Sequence, residues 1–181
     1  MRRVMIIGQP GSGKSTLARA VGEIAHLPVY HMDHIHWQPG WTERPKAEKA
    51  EICADIIARD RWVFEGGFSA NWSDRLDRAD AVIWLDMPLP LRLWRVFRRT
   101  LQYNGRTRPD LPENCPETFN ADFYHYIWRT RSTGRDNCAR LFAQARPDQM
   151  AHHFTNPKAA RGYLHALRYA VRRGNLGVSH R

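Results

Sequence analysis

Val4-Met5-Ile6-Ile7 is an unbroken apolar run, the pattern of a strand covered on both faces. After it, Leu17, Val21 and Ile24 recur at helical spacing. Leu27 to Met32 reads as a second strand that ends at Asp33, and residues 33–41 are too aromatic and too punctuated for a helix, so a loop is expected there. Pro45 opens a helix to about Arg59, with Ile52, Cys53, Ile56 and Ile57 facing inward. Arg61 to Glu65 is the third strand, with Gly66-Gly67-Phe68 as its exit turn, and Ala81 to Asp86 is the fourth. The helix after Pro88 sets Arg92, Arg95 and Arg99 on one face, with Arg98 close by, and Leu89, Leu93 and Val96 on the other. Residues 103–116 are rich in Gly, Pro, Asn and Arg, which suits a mobile segment. Helical spacing returns at Phe119, Phe123 and Ile127; His152 to Phe154 is a weak last strand; Asn156 caps a final helix whose first residue is Pro157. Its apolar face is Ala160, Leu164, Leu167 and Val171, and the tail from Gly174 is expected to be loose. Strands alternating with helices predict an α/β fold with a parallel sheet.

Composition narrows this picture. A chain of 181 residues suits one core, so a single domain over 1–181 is expected. Hydrophobic residues at 43% and charged residues at 25% exclude disorder. No apolar run approaches a membrane span, and a cleavable leader would destroy the segment that follows the first strand, so the reading is cytoplasmic. Cys53, Cys115 and Cys138 show no C-x-x-C spacing and are read as free thiols. The net charge of +10 calls for anionic ligands or nucleic acid, and no nucleic-acid-binding signature is present.

The chemistry lies between the first strand and first helix. Gly8-Gln9-Pro10-Gly11-Ser12-Gly13-Lys14-Ser15-Thr16 fits G-x-x-x-x-G-K-[ST], a phosphate-binding loop. Gly8, Gly11 and Gly13 let successive N–H groups turn inward around a phosphate, and Pro10 and Ser12 complete the wall. Lys14 brings a point charge to the β- and γ-phosphates, the Ser15 hydroxyl is a Mg²⁺ ligand, and Thr16 extends the lip toward the α-phosphate. The following helix turns its positive end to the same place. His31, His34 and His36 have no partnering Cys and are read as packing or substrate contacts rather than a zinc site. Trp37, Trp41 and Trp72 suit either an aromatic wall or the core. Arg92 and Arg98 read as a solvated face, as do Arg172 and Arg173.

The chain resembles the adenylate kinase superfamily. His31-Met32-Asp33 with Trp37-Gln38-Pro39-Gly40-Trp41, Trp62 to Ser69, Ile83 through Arg99, and Arg106 to Leu111 with Cys115-Pro116-Glu117 are similar to the small kinases that carry the name DNA topology modulation protein. The resemblance implies a P-loop three-layer sandwich with a five-stranded parallel sheet in the order 2-3-1-4-5. It implies an acceptor-binding insert at about 33–60 and a lid at about 103–135. It also implies ATP and Mg²⁺, with transfer of the γ-phosphoryl group to a small acceptor. Arg95 and Arg99 match arginines on the triphosphate, and Arg131 and Arg135 fall where lid arginines close over the transferring group. Glu65 stands where the family usually has Asp beside the magnesium. Asp33, beside the acceptor pocket, is expected to take a proton from the acceptor or to hold Mg²⁺ through water. Asp86 is expected to cap the helix after Pro88, and Arg75 is a candidate for an acceptor phosphate. The expected acceptor is a nucleoside monophosphate, because arginine is abundant. The alternatives are a neutral hydroxylated metabolite, as in gluconate and shikimate kinases, which Asp33 favours, and a nucleic-acid-associated ATPase regulator. A monomer and a dimer are both compatible with the sequence.

Overall fold

The central strand β1, Arg3–Gly8, is flanked on both sides by parallel partners, and this explains its unbroken apolar run. The structure, a computed structural model, describes residues 1–174; the tail beyond Gly174 lies outside the described residues. β5 (Trp62–Glu65) pairs with one edge of β1, and β6 (Ala81–Leu85) with the other. β2 (Val29–His31) lies outside β5, and β7 (Met150–Phe154) lies outside β6. The order β2-β5-β1-β6-β7 is the expected 2-3-1-4-5 once two short hairpin strands are counted.

Alternate residues of each strand feed different cores. Met5, Ile7, Trp62, Phe64, Val82 and Trp84 point to one side, where α3 (Lys46–Ala58), α4 (Trp72–Arg78) and α7 (Thr133–Phe142) supply Cys53, Ile56, Leu76 and Leu141. Val4, Ile6, Val63, Ile83 and Leu85 point to the other, against α1 (Lys14–Ala25) and α8 (Pro157–Arg172). Burying one such large side chain stabilises the fold by about 1.5–3 kcal/mol. The Asn156 side chain accepts from Ala159 N at 2.9 Å, so α8 begins as expected, with Leu167 buried on its inner face. No helix among the described residues is long and apolar enough to cross a membrane.

Register decides what meets at the carboxyl edge. Ile6 faces Glu65, His31 faces Glu65 from the other side, and Gly8 faces Leu85. The phosphate loop, Glu65 and the end of β2 therefore converge.

Residues 33–41 correct the expectation of a loop. They hold a five-residue helix α2, Met32–His36, and then a hairpin of β3 (Trp37–Gln38) and β4 (Thr42–Glu43). Met32 and Ile35, three apart, are both buried, which is enough to anchor one helical turn. Gly40 at φ 78° and Trp41 at φ 61° make the tight turn. α4 is not evident in the sequence, because its seven residues carry only two apolar anchors, Trp72 and Leu76.

α5 (Leu89–Tyr103) and α6 (Ala121–Arg129) flank the segment expected to move. Much of it is pinned to the hairpin. Gly40 N donates to Asn114 O at 3.1 Å and Trp41 Nε1 to Pro116 O at 3.1 Å. The Cys115 thiol is buried between Gln38 O and Trp41 N, and all three cysteines are free. The hairpin and residues 114–116 thus form one wall.

Candidate active site

The phosphate loop is held from outside by α5. A β-carbon on Gly11 would lie 2.5 Å from the Arg92 carbonyl oxygen, and one on Gly8 would lie 2.5 Å from the Leu85 carbonyl oxygen. Gly11 also sits at φ 76°, so glycine is required there twice over. Gly13 at φ 96° ends the loop, and no acidic residue stands in the first turn of α1. The first N–H groups of a helix have no acceptor within it, and Gly13 supplies no side-chain cap. Ser12 N donates to Gln9 O at 3.1 Å, and Lys14 Nζ to the same carbonyl at 3.2 Å. Thr16 is exposed on the lip.

Arg92 corrects the sequence reading. It is buried rather than solvated, with Nε on Pro10 O at 3.1 Å and Nη1 on Gln9 Oε1. A guanidinium spaced along a helix looks solvated in sequence, but here it stitches α5 to the loop. Arg95, one turn on, donates from Nη1 to Ser12 O at 2.7 Å, at the rim of the loop. Arg98 is exposed.

A chain of polar contacts runs from the loop to the end of β2. Ser15 Oγ donates to Glu65 Oε1 at 2.9 Å, and His31 Nδ1 lies 2.7 Å from the same oxygen. Burial pushes the Glu65 carboxyl up, but the His31 hydrogen bond, the Lys14 charge and the Ser15 hydroxyl together outweigh it and hold it below the usual value. Glu65 is therefore an anion anchored against the hydroxyl expected to ligate Mg²⁺. One hydroxyl and one carboxylate suit an ion that keeps several waters and takes its other ligands from phosphates. These residues fit Mg²⁺. Replacing Glu65 by Gln keeps the shape and removes the charge, so turnover is expected to fall by about a hundredfold. A steady-state assay with a Mg²⁺ titration checks this, and a loss below threefold would reassign the metal to Asp33 or Asp86.

Asp33 lies in the first turn of α2, with about half of its side-chain surface open. Crowding by the protein raises its carboxyl above the ordinary value, Glu65 repels it further, and Arg108 and Lys14 pull the other way. Asp33 and Glu65 are two carboxylates pushed in opposite directions, as expected of groups with different tasks.

Arg108 was not singled out in the sequence. It is buried, reaches Asp33 Oδ2 at 3.8 Å and Asp110 Oδ2 at 2.7 Å, and pairs with Glu117. Arg99 Nε meets Glu117 Oε1 at 3.3 Å, and Arg19 meets Asp110 at 3.3 Å. Arg99 is thus held by the Glu117 carboxylate. The available signal was a run of charged residues, Arg106, Arg108, Asp110, Glu113 and Glu117, in a stretch otherwise rich in turn formers.

Other candidates lie elsewhere. Arg75, a candidate for an acceptor phosphate, is fully buried beneath β5. It donates to Gly66 O at 2.9 Å and Asn71 Oδ1 at 2.7 Å and lies 3.8 Å over the Phe64 ring. Burial lowers its pKa to about 10. Asp86 does not cap α5. Arg135 grips both its oxygens at 2.8–3.0 Å, and His153 Nε2 lies 3.2 Å away. Arg131 is exposed at the α6–α7 junction, 4.5 Å over the Trp128 ring. His34 meets Pro109 O at 3.2 Å, and His36 stacks edge-on against Trp37 at 4.6 Å. Trp37 and Trp41 pack at 5.3 Å in the hairpin, whereas Trp72 packs against the core.

No protein-family model matches the chain, and no curated protein matches it. Among solved structures it is similar to shikimate kinase from Acinetobacter baumannii in complex with shikimate. That likeness has a TM-score of 0.56 and 15% identity, over 97% of this chain and 96% of that one. It is also similar to shikimate kinase from Bacteroides thetaiotaomicron, with a TM-score of 0.55 and 17% identity over 94% and 98% of the two chains. At this identity the likeness shows the fold: an α/β sandwich with the phosphate loop after its central strand.

Proposed function

We propose that the chain is an ATP-dependent kinase whose acceptor is a hydroxylated small molecule without a phosphate of its own. The carrying observation is the polar cluster beside the phosphate loop, where Glu65 holds the Ser15 hydroxyl at 2.9 Å and Asp33 stands half open at 3.8 Å from Arg108. When bound, Mg²⁺ and ATP supply the phosphoryl group and neutralise its charge. Lys14, the loop amides and Arg95 hold the triphosphate, Ser15 and Glu65 hold the metal, and Asp33 accepts the proton that leaves the attacking hydroxyl. Arg131 and Arg135 are given no part in the transfer, since Arg135 is held by Asp86 and Arg131 lies over the Trp128 ring.

A nucleoside monophosphate acceptor was favoured by abundant arginine, but those arginines have other partners. Arg75 lies in the core, Arg92 is under the loop, and Arg99 and Arg108 are matched by Glu117, Asp110 and Asp33. The three carboxylates around Arg108 occupy Arg99 and Arg108 and leave no unpaired cation there for a second phosphate, while the half-open Asp33 can accept a hydrogen bond from a hydroxyl group. The fold likeness to shikimate kinases agrees with this reading.

The test follows ADP formation from ATP with nucleoside monophosphates, nucleosides, polyols and sugar acids. A non-phosphorylated acceptor is expected to exceed every monophosphate at least tenfold in kcat/KM, a difference of about 1.4 kcal/mol. A monophosphate as the best acceptor would restore the first expectation.

A further inference from the structure

The phosphate loop has two sides. Inside, the Gln9 carbonyl accepts from Ser12 N and Lys14 Nζ. Outside, the Gln9 side chain meets Arg92 and donates to the carbonyls of Thr130 at 2.9 Å and Arg131 at 3.0 Å. Against that outer side, at the carboxyl ends of β6 and β7, lies a cleft of about 430 Å³. Gln9, Asp86, Arg92, Arg131, Ser132 and Arg135 wall it, over an apolar floor at 87–89. Neither Lys14 nor Ser15 lines it, so it is separate from the triphosphate cradle.

Its chemistry is that of an anion receptor. Three arginines face one carboxylate, Asp86, whose oxygens are already taken by Arg135 and His153. Arg92 is only 2% exposed, and its Nη2 has no hydrogen-bond partner. A buried guanidinium with an unmet donor costs free energy that an anion would recover. The ten-residue helix α7 begins at this cleft, and its N-cap Ser132 makes no side-chain cap bond. Gly134 N in its first turn already donates to Thr130 O at 2.9 Å, so the positive charge of the cleft comes from the arginines. Asp136, in that first turn, is exposed and does not line the cleft.

We propose that this cleft binds a dianionic phosphate group, free or carried by a small phosphomonoester, at a site distinct from the phosphate loop. The volume exceeds the needs of one phosphate, and the apolar floor suits the organic part of a monoester. The proposal stands whichever acceptor the enzyme phosphorylates.

Calorimetric titration of the full chain tests it. Inorganic phosphate and ribose 5-phosphate are each added to protein saturated with Mg²⁺ and a non-hydrolysable ATP analogue, and separately to the Lys14→Ala variant. One ligand per chain is expected in both preparations. Arg135→Gln and Arg131→Gln are each expected to weaken binding about tenfold or more, the size of losing one charge-assisted contact. Arg135→Gln strips Asp86 of its main partner, so its folding is checked by thermal unfolding. Arg131→Gln alters only an exposed side chain and carries the test if the first variant unfolds. Tighter binding of ribose 5-phosphate identifies a phosphomonoester as the ligand, and equal affinity identifies free phosphate. Displacement by the ATP analogue, loss in Lys14→Ala, or unchanged binding in Arg131→Gln would each overturn the proposal.

Discussion

Lys14→Ala is expected to lower turnover by about a thousandfold, roughly 4 kcal/mol of transition-state stabilisation. Lys14 Nζ has one hydrogen-bond partner, the Gln9 carbonyl at 3.2 Å, and its charge also helps hold Glu65 ionised. A cation anchored only to a loop carbonyl is positioned for a ligand, not for the fold. The unfolding free energy should therefore stay within about 1 kcal/mol of wild type, as for a substitution that opens no cavity and breaks no buried pair. Single-turnover kinetics and thermal unfolding of the same preparation separate the two effects. Wild-type turnover in this variant would remove the kinase reading, and a large loss of stability would mean that Lys14 serves the loop itself.

The sheet was legible because its strands are covered on both faces. Val4 to Ile7 and Ala81 to Leu85 are buried throughout, so they read as unbroken apolar runs. The phosphate loop was legible because its glycines and Lys14 have few other uses at that spacing. What the sequence hid was pairing. Arg92 and Arg95 look alike on the α5 face, yet one is buried beneath the loop and the other stands at its rim. Periodicity gives a residue's face but not what lies above that face. Asp86 ends an apolar strand just before a helix, which suits a cap, but its partners Arg135 and His153 are 49 and 67 residues away. Arg108 was obscured by its surroundings, since a run of turn formers reads as exposed, while Asp33, Asp110 and Glu117 enclose its buried guanidinium. The hairpin itself was hidden because two-residue strands are too short to show alternation.

Asp33→Asn is expected to cut kcat/KM by about a hundredfold or more, the usual scale for loss of a general base, and to remove the acidic limb of the pH profile. A base must be unprotonated to act. Crowding and Glu65 raise the Asp33 carboxyl above its ordinary value, so its base form is lost at a higher pH than that of an unperturbed aspartate. Glu65 is shifted the other way and stays ionised through the same range, so the limb belongs to Asp33. Stability should change in the opposite sense to activity. With its folded-state pKa raised above the unfolded value, Asp33 contributes stability below the unfolded pKa, and that contribution is lost as pH rises through the folded pKa. At neutral pH its charge therefore opposes folding, and Asn removes that opposition. Arg108 loses a partner at 3.8 Å but keeps Asp110 at 2.7 Å, so the network survives the exchange. The variant should be nearly inactive and at least as stable as wild type near pH 7, with the stability difference shrinking on acidification. Unfolding curves and kcat/KM profiles over the same pH range read both effects. An acidic limb that persists in Asp33→Asn would assign the proton to another group, and a variant less stable at neutral pH would show that Asp33 serves mainly to hold Arg108.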